Sequence, residues 1–257
     1  MMTETSKTIA AKALSLLDLT NLNDDCTPDA IDTLCAAAQS PHGNTAAICI
    51  WPRFVAQARK VLGTGHPVKI ATVVNFPSGD MPLDTVIAET KQAVADGADE
   101  IDLVIPYTAF MAGDEAAVRE MVEMIKAQCT APVRLKTILE TGVLEDPALI
   151  RRASEIALEA GADFIKTSTG KVAVNATPEA ARIMLEAIRD CGRPAAFKPA
   201  GGVRTVADAG IYLGLADEIM GEGWATPQTF RFGASGLLSD ILAVLDGKQG
   251  ASSTAAY

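Results

Sequence analysis

The sequence has few histidines, no paired cysteines and no long apolar run, and each absence excludes a class of protein. Its two histidines, His42 and His66, lie apart from the five scattered cysteines, so no metal site with the usual ligand spacing is expected. An odd number of cysteines without a C-x-x-C pair indicates reduced thiols and a cytoplasmic protein. No stretch approaches the roughly 18 apolar residues of a membrane span, and the polar start is not a secretory signal.

Positive charge is also scarce, because 22 lysines and arginines stand against 32 aspartates and glutamates, for a formal charge of −10. A protein that binds nucleic acid needs a basic face, so nucleic acid is not an expected partner. In an acidic protein an anionic ligand must be held by a local concentration of positive charge. Lysines beside glycine-rich loops are therefore the candidate ligand contacts.

Short apolar runs alternate with longer helical stretches along the chain. Candidate strands are residues 46–51, 68–75, 100–105, 133–140, 163–167, 195–198, 218–220 and 229–232. Candidate helices between and after them are residues 54–62, 85–96, 115–128, 146–160, 178–190, 206–213 and 235–245, and two more, 7–17 and 28–38, precede the first strand. Eight alternating units predict an α/β fold, a single (β/α)₈ TIM barrel over residues 1–257. We expect residues 1–40 to be an N-terminal helical extension and residues 247–257 a mobile tail.

A doubly wound open sheet is the competing arrangement, but it usually carries a glycine fingerprint after its first strand. Here the first candidate strand is followed by Trp51-Pro52-Arg53. A repeated connector favours the barrel, because three similar segments lie where a predicted helix meets a predicted strand. These segments are residues 97–101, 161–165 and 215–219.

Four charged residues lie within successive apolar strands: Asp102, Lys136, Lys166 and Lys198. They are separated by 34, 30 and 32 residues, close to one β/α repeat each. We therefore expect them at similar heights on adjacent strands, converging on one cavity. The alternative is that each charge reaches solvent at a strand end or forms a core ion pair, which is common for a single strand lysine. Regular spacing of four such residues favours a shared site.

The segment from Phe164 to Lys171 is the most informative part of this pattern. A lysine directed into an apolar interior tends to lose its proton, and a neighbouring cation has the same effect. Neutral Lys166 would be a nucleophile able to form a Schiff base with a carbonyl compound. The loops that contain Gly170-Lys171, Gly201-Gly202 and Ser235-Gly236 suit a phosphate group, although ordinary β/α turns also use glycine.

Three further residues have a simple structural interpretation beside a functional one. Cys49 is expected to be a small core residue that could instead face the cavity. Asp18 could be only a charge at the end of the helix 7–17. Glu140 could be a cavity wall or a partner of a lysine.

The chain resembles the deoxyribose-phosphate aldolase family along nearly its whole length. The matching segments are residues 18–23, 43–50, 75–77, 97–102, 139–142, 161–176, 198–204 and 231–235. The resemblance implies a class I aldolase without a cofactor or metal. Such an enzyme reversibly cleaves 2-deoxy-D-ribose 5-phosphate to D-glyceraldehyde 3-phosphate and acetaldehyde, in deoxyribonucleoside catabolism. Its partners would be the phosphosugar and the aldehydes, and a homodimer is compatible with it.

By the same resemblance, Lys166 is the Schiff-base lysine, Lys198 the second lysine that keeps it neutral, and Asp102 the proton-relay carboxylate. Supporting roles are implied for Asp18, Lys136, Cys49 and the C-terminal Tyr257. The implied phosphate contacts are Gly170, Lys171, Gly201, Gly202, Ser235 and Gly236. The family often has two serines where this chain has Ser235-Gly236, which affects the expected affinity for phosphate.

Two other functions stay open at this point. Another Schiff-base aldolase for a different phosphosugar would keep the lysines and use a different donor. A non-catalytic barrel that binds a phosphosugar would keep the glycine loops without a reactive lysine.

Overall fold

The computed structural model describes residues 4–248, in which strands and helices alternate. The first elements are α1 Glu4–Ser15, β1 Leu17–Asn21, α2 Pro28–Ala37, β2 Gln39–Ser40, β3 Gly43–Asn44, β4 Ala47–Ile50, α3 Val55–Leu62, β5 Lys69–Val74 and α4 Leu83–Ala95. The middle of the chain forms β6 Glu100–Val104, α5 Tyr107–Met111, α6 Glu115–Gln128, β7 Arg134–Ile138, α7 Thr141–Leu144 and α8 Pro147–Glu159. The last elements are β8 Phe164–Lys166, α9 Pro178–Asp190, β9 Ala196–Lys198, α10 Val206–Met220, β10 Phe232–Ala234 and α11 Leu237–Leu245.

Eight of the strands form one parallel sheet in the order β10-β1-β4-β5-β6-β7-β8-β9. The two edge strands meet through parallel bridges between Phe197 and Phe230 and between Ala200 and Gly233, so the sheet closes into a barrel. The short strands β2 and β3 pair as a separate antiparallel hairpin. The predicted (β/α)₈ barrel is confirmed, and the open sheet is excluded.

Two predicted elements are of the wrong type, and the last strand, predicted at residues 229–232, is found at Phe232–Ala234. Strand β1 begins at Leu17, where a helix was predicted to end, so the segment 1–40 contributes a barrel strand and is not only helical. The predicted strand 218–220 is the last turn of α10. The two connectors that do end helices contain Gly97 and Gly161, both at φ 100°. The third has leucine at the corresponding position, so the helix continues to Gly221.

Short polar side chains begin several of the helices that follow the barrel strands. Thr27, Thr177 and Asp146 each cap a helix whose first residue is proline, and each accepts a hydrogen bond from a backbone N–H of the first turn. Thr205 and Asp208 form a capping box at the start of α10. These caps end the β/α loops at defined residues, which places the loops at the carboxyl ends of the strands.

The barrel divides its buried residues into two zones. The large apolar core lies between the strands and the surrounding helices, with side chains such as Ile48, Ile101 and Leu135 fully buried. The interior of the barrel also holds buried charged residues, among them Lys136 and Lys198. Because charges are costly to bury without partners, this interior is where a chemical function is expected.

Candidate active site

The four charged strand residues predicted to converge do so, on the adjacent strands β6, β7, β8 and β9. Asp102 pairs in register with Lys136, and Lys166 pairs with Lys198. Lys166 lies opposite Ile138, two residues beyond Lys136, so the heights are not all equal. The pair Lys166 and Lys198 is closer to the carboxyl ends of the strands, where the catalytic residues of barrel enzymes are located.

The carboxylate of Asp102 connects all three lysines. Its Oδ1 accepts a hydrogen bond from Lys136 Nζ at 2.9 Å. Its Oδ2 accepts from Lys166 Nζ and from Lys198 Nζ, each at 2.8 Å. Asp102, Lys136 and Lys198 are fully buried, and Lys166 is 3% exposed. Asp102 can therefore exchange protons with both upper lysines through direct contacts.

Two members of this cluster, Arg231 and Glu100, were not predicted as site residues, and Asp18 was predicted only as a supporting residue. Arg231 donates to Asp18 Oδ1 at 2.7 Å and to Glu100 Oε1 at 2.8 Å. Glu100 also accepts from Lys136 at 2.5 Å, and Asp18 accepts from Lys198 at 2.6 Å. The sequence predicted three lysines and one aspartate. The structure has four basic side chains, those of the three lysines and Arg231, and three carboxylates. The available signal was the strand period of two, since Glu100 lies on the same face of β6 as Asp102.

Phe164 supports the cluster from within the barrel. The guanidinium groups of Arg134 and Arg231 lie 4.3 Å and 5.7 Å from the centre of its ring, and Lys136 Nζ lies at 5.7 Å. Cations are attracted to the face of an aromatic ring, so this residue partly replaces the water that the cations lose.

The surroundings move the pKa values of the two upper lysines in opposite directions. Burial lowers the pKa of Lys166, and the positive charge of Lys198 adds to this, although Asp102 opposes both. Burial also opposes the charge of Lys198, but Asp102 and Asp18 outweigh it and raise the pKa of Lys198. Two lysines whose pKa values are moved apart in this way can supply one neutral nucleophile and one cation in the same site.

Lys166 opens onto a cavity of about 520 Å³ at the carboxyl end of the barrel. All six residues predicted as phosphate contacts line this cavity: Gly170, Lys171, Gly201, Gly202, Ser235 and Gly236. Gly236 is the N-cap of α11, so backbone N–H groups at this helix start face the cavity region. Arg204, which was not predicted as a contact, also lines the cavity, and its side chain is exposed.

Lys171 contacts the opposite rim of the barrel. Its Nζ donates to Leu22 O at 2.8 Å and lies 3.6 Å from Asp24. Trp51 Nε1 donates to Asn23 O at 3.0 Å, so the same loop is held at two points. The ammonium group of Lys171 therefore lies at the mouth of the cavity. Its partners there are a neutral carbonyl oxygen, that of Leu22, and an exposed carboxylate, that of Asp24.

Cys49 faces the barrel interior, in a small apolar cluster with Leu22, Ala71 and Val73. Burial raises the pKa of its thiol, and the charge of Asp102 adds to the effect. A thiol held neutral in this way acts as an apolar wall of the site.

Glu140 is buried and contacts Thr169, not a lysine. Tyr257 and the rest of the predicted tail beyond Lys248 lie outside the described residues.

Residues 4–248 contain neither a candidate membrane span nor a candidate metal site. No helix in this part of the chain has both the length and the apolar character needed to cross a membrane. The same residues contain no group of three or more histidine, cysteine or acidic side chains arranged to hold a metal ion.

Comparison with known proteins gives concordant results for sequence and fold. Residues 12–236 match the model of the DeoC/LacD family of aldolases. The chain is 66% identical over 248 residues to a deoxyribose-phosphate aldolase of Agrobacterium fabrum, which covers 96% of both chains.

Solved structures with the same fold include a putative deoxyribose-phosphate aldolase from Toxoplasma gondii. It is 26% identical, with a TM-score of 0.86 over 95% of this chain and 97% of its own. The tetrameric deoxyribose phosphate aldolase from Aeropyrum pernix is 22% identical, with a TM-score of 0.73 over 95% of this chain and all of its own. At that identity the second likeness concerns the fold alone.

Proposed function

Since the chain belongs to the DeoC/LacD family of aldolases, we propose that it reversibly cleaves 2-deoxy-D-ribose 5-phosphate to D-glyceraldehyde 3-phosphate and acetaldehyde. One observation carries this proposal: a buried lysine with a lowered pKa lies in the same cavity as three glycine-bearing loops. A class I aldolase needs a neutral amine for the carbonyl end of the substrate and a separate site for the phosphate end.

The reaction begins when neutral Lys166 adds to the aldehyde carbon of the open-chain sugar. Loss of one water gives a protonated imine, and this cation accepts the electron pair of the bond between C2 and C3. The proton of the C3 hydroxyl passes to Asp102 through a water molecule, and D-glyceraldehyde 3-phosphate leaves. Asp102 suits this role because it contacts Lys166 at 2.8 Å and because the neighbouring lysines lower its pKa against the effect of burial.

The enamine that remains on Lys166 is protonated in a second proton transfer. The proton that Asp102 received from the C3 hydroxyl passes through the water to C2. The resulting imine adds water, and acetaldehyde leaves while Lys166 returns to its neutral form. Lys198 stays charged throughout because Asp18 and Asp102 hold its proton. Its charge keeps Lys166 neutral before the addition and orients the Asp102 carboxylate. General acid–base catalysis of this kind contributes about 10²–10⁴ in rate.

The phosphate group is bound at the glycine loops. Gly170, Gly202 and Gly236 line the cavity and have no side chain of their own between the backbone N–H and a ligand, and Lys171 adds the positive charge. Gly170 and Gly202 have φ of 84° and 83°, a conformation that other residues rarely adopt. The loops therefore hold the phosphate end while Lys166 reacts with the other end.

Trapping with borohydride tests the central claim. Acetaldehyde and borohydride are expected to attach a two-carbon group to Lys166, which mass spectrometry of the tryptic peptides detects. The Lys166→Met variant should take no label, and a variant at the exposed Lys60 should be labelled like the unmodified chain. A two-carbon group found on Lys136 or Lys198 would overturn the assignment of the nucleophile.

Dihydroxyacetone offered in place of acetaldehyde distinguishes this donor from that of another Schiff-base aldolase. We expect synthesis of the five-carbon phosphosugar only with acetaldehyde. The homodimer and the cytoplasmic location stay predictions, which light scattering and cell fractionation check.

A further inference from the structure

Glu140 is a buried carboxylate with no part in the proposed mechanism. It lies two residues after β7, directly before α7, and its backbone has the left-handed conformation with φ 59° and ψ 56°. Its side chain is fully buried, and burial raises the pKa of its carboxyl group, against the hydrogen bonds from Thr169 and the charge of Lys166. A charged group in such a place is costly unless its hydrogen bonds compensate for the lost water. Hydrogen bonds must therefore offset the free energy that burial of the Glu140 carboxyl group costs.

The partner of Glu140 is Thr169, three residues after the Schiff-base lysine. Thr169 N donates to Glu140 Oε1 at 3.2 Å, and Thr169 Oγ1 donates to Oε2 at 2.5 Å. The same hydroxyl accepts a hydrogen bond from Lys171 N at 3.0 Å. The Glu140 carboxylate thus binds both hydrogen-bond donors of Thr169, its N–H and its hydroxyl. Thr169 in turn fixes the turn that contains Gly170 and Lys171.

A second contact joins the same two loops. A Cβ atom built on Gly142 would collide with the carbonyl oxygen of Val174, so α7 packs directly on the β8–α9 loop. The neighbouring Asn175 in turn packs on Gly201, where an added Cβ would lie 2.7 Å from its side chain. The position of the turn after β7 is therefore transmitted to two of the three glycine loops.

We propose that Glu140 is a positioning residue that acts through Thr169 to set the distance between Lys166 and the phosphate end of the cavity. This inference rests on the proposed function. Glu140 does not line the cavity, so it acts without touching substrate. Only two residues separate Lys166 from Thr169, and a small shift of this short segment moves the phosphate contacts relative to the nucleophile. Misplacement by about 1 Å can cost about 10²-fold in rate.

The consequence is a preference for phosphorylated substrate that depends on Glu140. The Glu140→Ala variant is expected to lower kcat/KM for 2-deoxyribose 5-phosphate by about tenfold or more, since the hydrogen bonds to a charged acceptor are lost. With unphosphorylated 2-deoxyribose, which has no phosphate to position, kcat/KM should change by less than about twofold. The Glu140→Gln variant keeps one acceptor oxygen and should recover most of the loss.

Glu89 is the matched control. It is a half-buried glutamate that accepts a hydrogen bond from a β/α loop, through Asn75 N at 3.0 Å, on a different part of the barrel. The Glu89→Ala variant should change stability without changing the ratio of the two kcat/KM values. If Glu140→Ala does not fold, Thr169→Val removes the same hydroxyl contact, and Thr169→Ser restores it.

Equal losses with both substrates in Glu140→Ala and Thr169→Val would overturn the inference, because a purely structural role affects both alike. The proposed function is tested separately by the unmodified protein. If acetaldehyde cannot be trapped on Lys166, the proposed function fails and the inference with it. If trapping succeeds but the unmodified protein does not prefer the phosphorylated sugar, only the inference and the phosphate subsite fail.

Discussion

Replacing Lys198 by methionine is expected to raise the pKa of Lys166 and to shift the rising part of the pH–activity profile to higher pH. The nucleophile must be neutral, and its pKa is lowered by burial and by the charge of Lys198. Methionine removes that charge but keeps much of the side-chain volume. It also leaves the negative charge of Asp102 less compensated, which acts on Lys166 in the same direction.

The magnitude follows from the geometry. Lys166 Nζ and Lys198 Nζ each lie 2.8 Å from the same oxygen of Asp102, so they cannot be further apart than twice that distance. Two like charges about 5 Å apart, at an effective dielectric constant of about 20, repel by about 3 kcal/mol. The loss of a repulsion of this size favours the protonated form of Lys166 by more than about tenfold, so the rising part of the profile should move clearly to higher pH.

The assay is the pH dependence of kcat/KM, whose rising part reports the pKa of the essential base in the free enzyme. Because Lys198 also orients Asp102, the rate itself will fall. The pH dependence of borohydride trapping with acetaldehyde therefore gives an independent reading of Lys166 alone. The Lys198→Arg variant keeps the charge and should leave the rising part in place. An unchanged profile in Lys198→Met would show that burial alone sets the pKa of Lys166.

Three further predictions concern the cavity and the charged cluster. Lys171→Met should lower kcat/KM for the phosphorylated sugar by about tenfold, since one charge-assisted contact is lost, and should leave kcat/KM for the unphosphorylated sugar unchanged. An equal change in kcat/KM for the two sugars would contradict the phosphate assignment. Arg231→Met should lower the free energy of unfolding by about 3–5 kcal/mol, because it removes a buried cation that pairs with both Asp18 and Glu100. Denaturant unfolding measures this, and a loss below about 1 kcal/mol would be a contradiction. The pKa values of Asp18 and Glu100 are lowered, since their cations outweigh burial, so the stability they contribute should be complete above about pH 5 and decline as pH falls below about 4. Urea unfolding at several pH values checks this, and stability that is constant down to pH 3 would refute it.

The spacing of the strand residues predicted the site because a barrel converts regular sequence distance into spatial proximity. Asp102, Lys136, Lys166 and Lys198 recur at about one β/α unit, and the parallel sheet places them on neighbouring strands. Their offset in height could not be predicted, since it depends on the pairing register. The register brings Lys166 opposite Ile138 and so places the reactive pair above Lys136.

Elements with weak periodicity were the ones assigned wrongly. Strand β1 has five residues and directly follows a helix, so the apolar residues on either side of Leu17 looked like one helical face. Helix α10 is apolar on most sides, which hides the helical period and made its last turn look like a strand. In both places the arrangement of the neighbouring barrel strands decides the structure.

By itself the sequence determined the class of fold, and it predicted which lysines converge and what chemistry they could support, since these depend on residue type and on repeat spacing. Only the tertiary structure decided which charges balance one another. It added Glu100 and Arg231 to the cluster and placed Asp18 on a barrel strand. It also showed Lys166 and Lys198 sharing one carboxylate oxygen. The pKa of a buried group depends on distances of a few ångströms across the barrel, which residue order along the chain does not specify.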